Sequence, residues 1–168
     1  MRTLGSDLEA LRRQLEAGSM QRAYAAILAY MSRLRTDFIA ASDGSAVSGL
    51  YQGTFDMTYF ALLPPALKAR DLKFAIVFDY SSFRFQVWLA ARNRSVQRRY
   101  WEVLSRHDWE QYPLVEPGAG VDAITVFDVG DALELQDPGR LTSRIESAVS
   151  AFAGDLERFL AEYDPLAV

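Results

Sequence analysis

The segment LKFAIVFDYSSFRFQVWLAAR, residues 72–92, decides the fold of this 168-residue chain. Large apolar side chains occupy every second position on both sides of Ser81 and Ser82, and this spacing is typical of strands that bury one face. Because so few residues separate the two runs, the segment predicts a tight antiparallel hairpin with one apolar and one mixed face. The facing pairs in this register are Asp79 with Arg84, Val77 with Gln86, and Ala75 with Trp88.

A further strand is predicted just before the hairpin, in LYQGTFDMTYFALLPP, residues 50–65. A continuous strand over residues 50–63 has aromatic and methionine side chains on one face and polar side chains on the other. The polar positions are Gln52, Thr54, Asp56 and Thr58. An unpaired buried polar group costs about 1–3 kcal/mol, so these residues need partners if the face is covered. The pattern fits an internal network, a cleft for a small polar ligand, or a solvated sheet face.

Apolar residues spaced three and four apart predict helices before these strands. A capping box of Ser6 and Glu9 begins a short leading helix that ends at Gly18. The same spacing continues over residues 19–42, which predicts a long amphipathic helix.

The region after the hairpin repeats this alternation of helix and strand. Residues 93–106 predict an amphipathic helix, and AITVFDV, residues 123–129, predicts a fourth strand. Asp137 followed by Pro138 marks the start of a last long helix. The fold class is therefore α+β, with order α-α-β-β-β-α-β-α and a mainly antiparallel sheet of about four strands. We expect a single domain over residues 1–168, with residues 1–18 as a peripheral leading helix.

The amino-acid composition argues against several kinds of functional site. The chain has no cysteine and one histidine, His107, so zinc sites and disulfides are not expected. The sequence has no GxSxG elbow, phosphate-binding loop or GxGxxG motif, and we predict no catalytic residue, no metal and no cofactor. The start lacks the apolar core of a signal peptide, and no run is long enough to span a membrane. The expected location is cytoplasmic.

Charge is divided unevenly along the chain. Residues 1–106 carry 15 Lys or Arg and 9 acidic residues, whereas residues 107–168 carry 3 and 13. This division fits acidic C-terminal segments that pair with a basic part of the same domain, or a basic face for an acidic ligand or nucleic acid. The sequence pI of about 5.0 argues against a dedicated nucleic-acid binder.

Three interpretations of function remain open. The first is a binding module for a small polar ligand, with a candidate site of Gln52, Asp56, Gln86 and Trp88 and with Arg92 and Asn93 at the rim. The second is a nuclease-like fold that binds the phosphates of nucleic acid through Arg94, Arg98 and Arg99. The third is a protein-interaction domain or homodimer, for which exposed apolar patches would be the distinguishing feature.

The order helix, three strands, helix, strand resembles the core of restriction-endonuclease-like nucleases. That resemblance implies an Asp on the second strand and a Glu-x-Lys motif on the third, which together bind metal and activate water. Asp79 ends the second predicted strand of the chain, but the third strand has Gln86-Val87-Trp88 in place of Glu-x-Lys. The resemblance therefore implies a shared architecture without the usual mechanism.

A second resemblance covers residues 20–104. The stretches LYQGTFDMTYFALLP, LKFAIVFDY and FRFQVWLAARNRSVQRRYW are similar to a bacterial family known only as an uncharacterised domain of unknown function. The shared features are a YQG, an aspartate before MTYF, a WLA followed by an asparagine, and a closing YW. An acid is common in that family where this chain has Gln86. The resemblance brings no established activity or cofactor.

Overall fold

The computed structural model describes residues 3–42 and 44–165 and confirms the α+β class. Its helices are α1 (Leu4–Ala17), α2 (Ser19–Ala40), α3 (Pro65–Lys68), α4 (Arg94–Arg106) and α5 (Pro138–Tyr163). Its strands are β1 (Ala46–Val47), β2 (Tyr51–Gln52), β3 (Met57–Leu63), β4 (Leu72–Asp79), β5 (Arg84–Ala91) and β6 (Ala123–Asp131). A short 3-10 helix, Ala132–Gln136, links β6 to α5. β4, β5 and β6 correspond to predicted strands, whereas β2 and β3 together replace the strand predicted over residues 50–63. β1 and α3 are additional short elements.

The sheet is antiparallel throughout, in the order β1-β3-β4-β5-β6, with β2 also paired to β3. The predicted hairpin register is confirmed, because Asp79 faces Arg84 and Val77 faces Gln86. The connection is longer than predicted, since β4 ends at Asp79 and β5 begins at Arg84. Phe83 has a φ of 57°, a left-handed conformation that closes this turn.

Asp79 holds the turn in place. Its carboxylate accepts hydrogen bonds from the backbone N–H and the hydroxyl groups of both Ser81 and Ser82. Burial alone would raise the pKa of Asp79, but the hydrogen bonds from Ser82 and Ser81 outweigh it, and the pKa is lowered. The carboxylate suggested by the nuclease resemblance as a metal ligand therefore caps the β4–β5 turn.

The core lies on one face of the sheet, beneath α2 and α5. Aromatic pairs join the two layers, with Tyr30 against Phe85 and Phe74 against Phe152. The apolar side of the central strands is fully buried: Phe74, Ile76, Phe78, Phe85, Val87 and Leu89. Burial of each such side chain contributes about 1.5–3 kcal/mol, so this face dominates the stability of the fold.

The predicted strand over residues 50–63 is wrong as a continuous element. It is split into β2 and β3, which pair with each other as a small hairpin. Phe55 has a φ of 58° in the turn, and the Gly53 N–H donates to the Met57 carbonyl across it. A Cβ on Gly53 would overlap the Asp56 carboxylate and the Met57 carbonyl, so the tight turn requires glycine there. The uniform polar face expected for this segment therefore does not form.

Helix ends follow the predicted signals with one correction. The capping box of α1 joins Thr3 and Ser6, whereas Ser6 and Glu9 were predicted. Glu9 instead forms an ion pair with Arg12. Gly18 ends α1 in the left-handed conformation, and Asp137 caps α5, as predicted.

Candidate functional site

The candidate site lies on the second face of the sheet, opposite the core. The strand register places alternate residues of β3, β4 and β5 on this face: Met57, Tyr59, Lys73, Ala75, Val77, Gln86, Trp88 and Ala90. A cleft of about 240 Å³ opens here. Among the described residues, its lining comes from strands or from positions at strand ends, and no helix contributes to it. This face is therefore accessible, whereas the core face is covered.

Small residues create the depression. Ala75, Val77 and Ala90 form its floor and are almost completely buried. The larger side chains of Tyr59 and Trp88 line the same cleft. A row of small side chains between large ones leaves a concave surface on a sheet, and ligand sites are usually concave and mainly apolar.

The rim of the cleft carries charge. Lys73 and Arg92 line it, together with the exposed Asp122. Arg92 lies 3.4 Å from Asp71 in a solvent-exposed ion pair. Within residues 3–42 and 44–165, no carboxylate oxygen lies within 4.0 Å of the Lys73 ammonium. Lys73 is thus a half-buried cation without an ion pair in the described part of the chain.

A polar network fixes the orientation of Trp88. The Trp88 indole Nε1 donates to Gln86 Oε1 at 2.9 Å, and Gln86 Nε2 donates to Asp128 Oδ1 at 2.9 Å. Arg84 lies 3.5 Å from the second oxygen of Asp128. Both the amide oxygen and the amide nitrogen of Gln86 have hydrogen-bond partners, so the Gln86 side chain is fixed and holds the indole ring at the cleft.

The structure separates the predicted ligand site into three parts. Trp88 and Arg92 line the cleft, and Gln86 lies beside it as the support of Trp88. Asn93 caps α4 by accepting a hydrogen bond from the Val96 N–H at 3.0 Å. Gln52 and Asp56 lie elsewhere, in the β2–β3 hairpin. Gln52 pairs with Thr58, whose side chain points to the core side of the sheet and bonds with the Tyr80 hydroxyl.

Eight of the ten lining residues were outside the predicted site, and three of these eight are charged or aromatic: Tyr59, Lys73 and Asp122. Lys73 shares the face of Gln86 and Trp88 in the hairpin register that was predicted correctly. Tyr59 joins this face once β3 is aligned with β4. Asp122 precedes β6 at the end of an irregular segment, and no sequence pattern indicates its position.

The arginine-rich helix forms a separate surface. Arg94, Arg98 and Arg99 surround a shallow depression on α4 with Ser95 and Glu102. Arg99 is bound to Asp164 at 2.7 Å, while Arg94 and Arg98 have no ion pair within the described ranges. The pairs Arg99–Asp164 and Arg84–Asp128 join the basic part of the chain to the acidic C-terminal part.

The described residues contain neither a candidate metal site nor a candidate membrane-spanning helix. Outside residues 1–2, 43 and 166–168, no group of three or more histidine, aspartate or glutamate side chains is placed to hold a metal ion. In that same part of the chain, no helix combines the length and the apolar character that crossing a membrane requires.

Comparison with known proteins gives one match. No match was found among curated proteins. None was found among solved structures either. The model of a family described as Domain of unknown function (DUF7000) matches residues 4–160, which span α1 to most of α5. The chain belongs to this DUF7000 family.

Proposed function

We propose that the protein is a binding module that holds a small organic anion in the cleft on the open face of the sheet. The observation that carries the proposal is Lys73, a half-buried cation in the wall of a concave cleft with an apolar floor, without an ion pair in the described chain. The proposal assigns binding only and no catalytic residue. A cytoplasmic location in a bacterial cell stays a prediction.

The two cations at the rim of the cleft favour a negatively charged ligand. Partial burial removes water from an ammonium group, and a nearby anion restores its stabilisation. Arg92 adds a second cation that presents a planar guanidinium suited to a carboxylate or phosphate. Asp122 supplies an acceptor for a hydroxyl or amine elsewhere on the ligand.

The body of the ligand follows from the walls and floor. Tyr59 and Trp88 present aromatic rings, and the alanines and valine below them are apolar. Aromatic faces favour planar or apolar groups, with about 0.5–1.5 kcal/mol per ring pair beyond the burial of area. The site therefore suits an anion with a flat or apolar body.

We expect Lys73→Gln to weaken binding of benzoate at least about tenfold, because a hydrogen bond to a charged group contributes about 1.5–3 kcal/mol. Isothermal titration calorimetry measures the affinity. Lys68→Gln is the matched control, since Lys68 is the chain's other lysine and lies on α3 outside the cleft lining. Benzamide has nearly the same shape as benzoate but no charge, so its affinity tests whether binding requires the negative charge of the ligand.

The affinities of the two lysine variants and of the two ligands distinguish the proposal from its alternatives. Equal benzoate affinity in the wild type and Lys73→Gln would exclude Lys73 as the anion partner. Equal affinity for benzoate and benzamide would show that the cleft does not select an anion. Loss of binding in both lysine variants would indicate a general charge effect and would also contradict the proposal.

A second candidate function rests on α4. Arg94 and Arg98 are exposed and without an ion pair in the described chain, so they are available to phosphates of nucleic acid. On this hypothesis, the double variant Arg94→Ala/Arg98→Ala binds a labelled oligonucleotide more weakly than the wild type. The slope of log affinity against log salt concentration also falls in magnitude by about 2, one for each lost phosphate contact. Fluorescence anisotropy across a salt series measures both. Unchanged affinity in the double variant would remove this function.

A further inference from the structure

A second concave site lies on the opposite side of the sheet from the cleft, between the end of α2 and the middle of α5. This α2–α5 groove has a volume of about 420 Å³ and shares no lining residue with the cleft. Its floor is a row of facing side chains on β1, β3 and β4: Val47, Leu62 and Phe74. Phe74 packs against Phe152 of α5, so this row faces the helices. The groove is therefore independent of the proposed anion site.

Both helices add apolar side chains to the walls of the groove. α2 contributes Phe38 and Ala41, and α5 contributes Val149 and Ala153. Phe38, Val47 and Ala153 are packed on the core but only partly buried, so apolar surface remains open at the groove. A ligand with an apolar body removes this surface from water, which favours binding.

A carboxylate also lines the groove. Glu146 lies one turn before Val149 and Ser150 on α5, so the three side chains are on the same side of the helix. The Glu146 side chain is partly buried, and it forms no ion pair within residues 3–42 and 44–165. Partial burial removes water from a carboxylate, and a cation beside it restores the lost stabilisation. This part of the groove therefore favours a positively charged group.

Asp37 of α2 adds to the negative charge near Glu146. Its side chain is partly buried and likewise has no ion pair in the described part of the chain. Burial is the main cause that raises the pKa of Tyr30 to about 12. The charges of Asp37 and Glu146 add to this effect, although the hydrogen bond with Thr142 opposes it. Two carboxylates without ion pairs thus act on the same hydroxyl group, and the electrostatic potential here is complementary to a cation.

We propose that the α2–α5 groove binds a small primary amine with an apolar body. The ammonium lies at Glu146, and the body covers the row of Val47, Leu62 and Phe74. A primary ammonium has three N–H donors, so it can bond to the Ser150 hydroxyl, which also lines the groove, as well as to the carboxylate. This ligand is opposite in charge to the anion proposed for the cleft, so either site can exist without the other.

Isothermal titration calorimetry with phenethylamine tests the role of the carboxylate. We expect Glu146→Gln to weaken binding at least about tenfold, because a hydrogen bond to a charged group is lost. Glu157→Gln is the matched control, since Glu157 is exposed on the same helix and lies outside the groove lining. Phenethyl alcohol carries a neutral hydroxyl in place of the ammonium, and it should bind to the wild type at least about tenfold more weakly than the amine.

A larger side chain in the wall of the groove tests where the apolar body lies. Ala153→Phe fills space above the floor and should also weaken phenethylamine binding at least about tenfold. Ala151→Phe is the matched control, because Ala151 is exposed on α5 and does not line the groove. Both variants should keep the circular dichroism of the wild type, since Ala153 is only partly buried.

An amine could also reach Asp122 in the cleft, so Asp122→Asn distinguishes the two sites. Its affinity for phenethylamine should equal that of the wild type. Loss of affinity in Asp122→Asn, with full affinity in Glu146→Gln, would place the amine in the cleft and overturn the proposal. Three other results would also overturn it: no binding of phenethylamine to the wild type, equal affinity in Glu146→Gln and Glu157→Gln, or equal affinity for the amine and the alcohol.

Discussion

Replacement of Asp164 by alanine is expected to lower the free energy of unfolding by about 2–4 kcal/mol, because it removes the carboxylate that balances the charge of a buried arginine. Arg70 has only 6% of its side chain exposed, and its Nε lies 3.2 Å from Asp164 Oδ2. The same oxygen accepts a hydrogen bond of 2.7 Å from the Tyr100 hydroxyl. Urea denaturation followed by circular dichroism measures the loss.

Arg99→Ala is the control for Asp164→Ala. Arg99 contacts the other oxygen of the same carboxylate at 2.7 Å, but 62% of its side chain is exposed. Exposed ion pairs contribute about 0–1 kcal/mol, so this variant should remain close to the wild type. Equal losses in the two variants would mean that burial of Arg70 does not determine the effect.

The contribution of Asp164 to the free energy of unfolding is expected to depend on pH. Burial would raise the pKa of Asp164, but the hydrogen bond from Tyr100, the charge of Arg99 and the hydrogen bonds from Arg70 and Arg99 outweigh it, and the pKa is lowered. A carboxyl group with a lower pKa in the folded state stabilises the fold above its unfolded pKa of about 4. This contribution is lost as pH falls through the folded value. The stability of Asp164→Ala should therefore converge towards that of the wild type in acid.

Replacement of Gln97 by leucine is expected to lower the free energy of unfolding by about 2–4 kcal/mol, because one buried and one partly buried carbonyl group lose their donor. Gln97 is buried in α4, and its Nε2 donates at 3.0 Å to the carbonyl oxygens of Val121 and Ala123. These residues flank Asp122 at the rim of the cleft. The substitution should lower the urea midpoint without changing the slope of the transition.

The exposed Gln111 provides the control for Gln97→Leu. Gln111→Leu makes the same replacement of glutamine by leucine at an exposed position. It should change the free energy of unfolding by no more than about 0.5 kcal/mol. A Gln97→Leu variant as stable as Gln111→Leu would show that the segment before β6 does not depend on these hydrogen bonds.

The central fold could be predicted from sequence because alternation in residues 72–92 left one consistent register. Shifting β5 by one residue would expose Phe85, Val87 and Leu89, so the apolar pattern alone determines the pairing. The break after Gln52 could not be predicted in the same way. Phe55 adopts a positive φ that aromatic residues rarely take, and the turn depends on contacts of Gly53 with Asp56 and Met57.

The candidate site was only partly predictable for the same reason. Trp88 and Arg92 were in the predicted set because they belong to the well-defined hairpin and its end. Gln52 and Asp56 were grouped with them on the assumption of a continuous strand. The depression itself depends on Ala75 and Ala90, and small residues in a strand give no sequence signal of a cleft until the neighbouring strands are aligned.

The most direct test of the proposed function is the indole N–H resonance of Trp88 in a heteronuclear NMR titration with benzoate. The chain has three tryptophans, and Trp88→Phe assigns the relevant peak. Trp88 lines the cleft, whereas the indole nitrogens of Trp101 and Trp109 are buried without a partner within the described residues. We predict a saturable shift of the Trp88 peak alone, retained in Lys68→Gln and lost in Lys73→Gln. A Trp88 peak that does not move, or that moves equally in Lys73→Gln, would contradict the assignment of this cleft as an anion site.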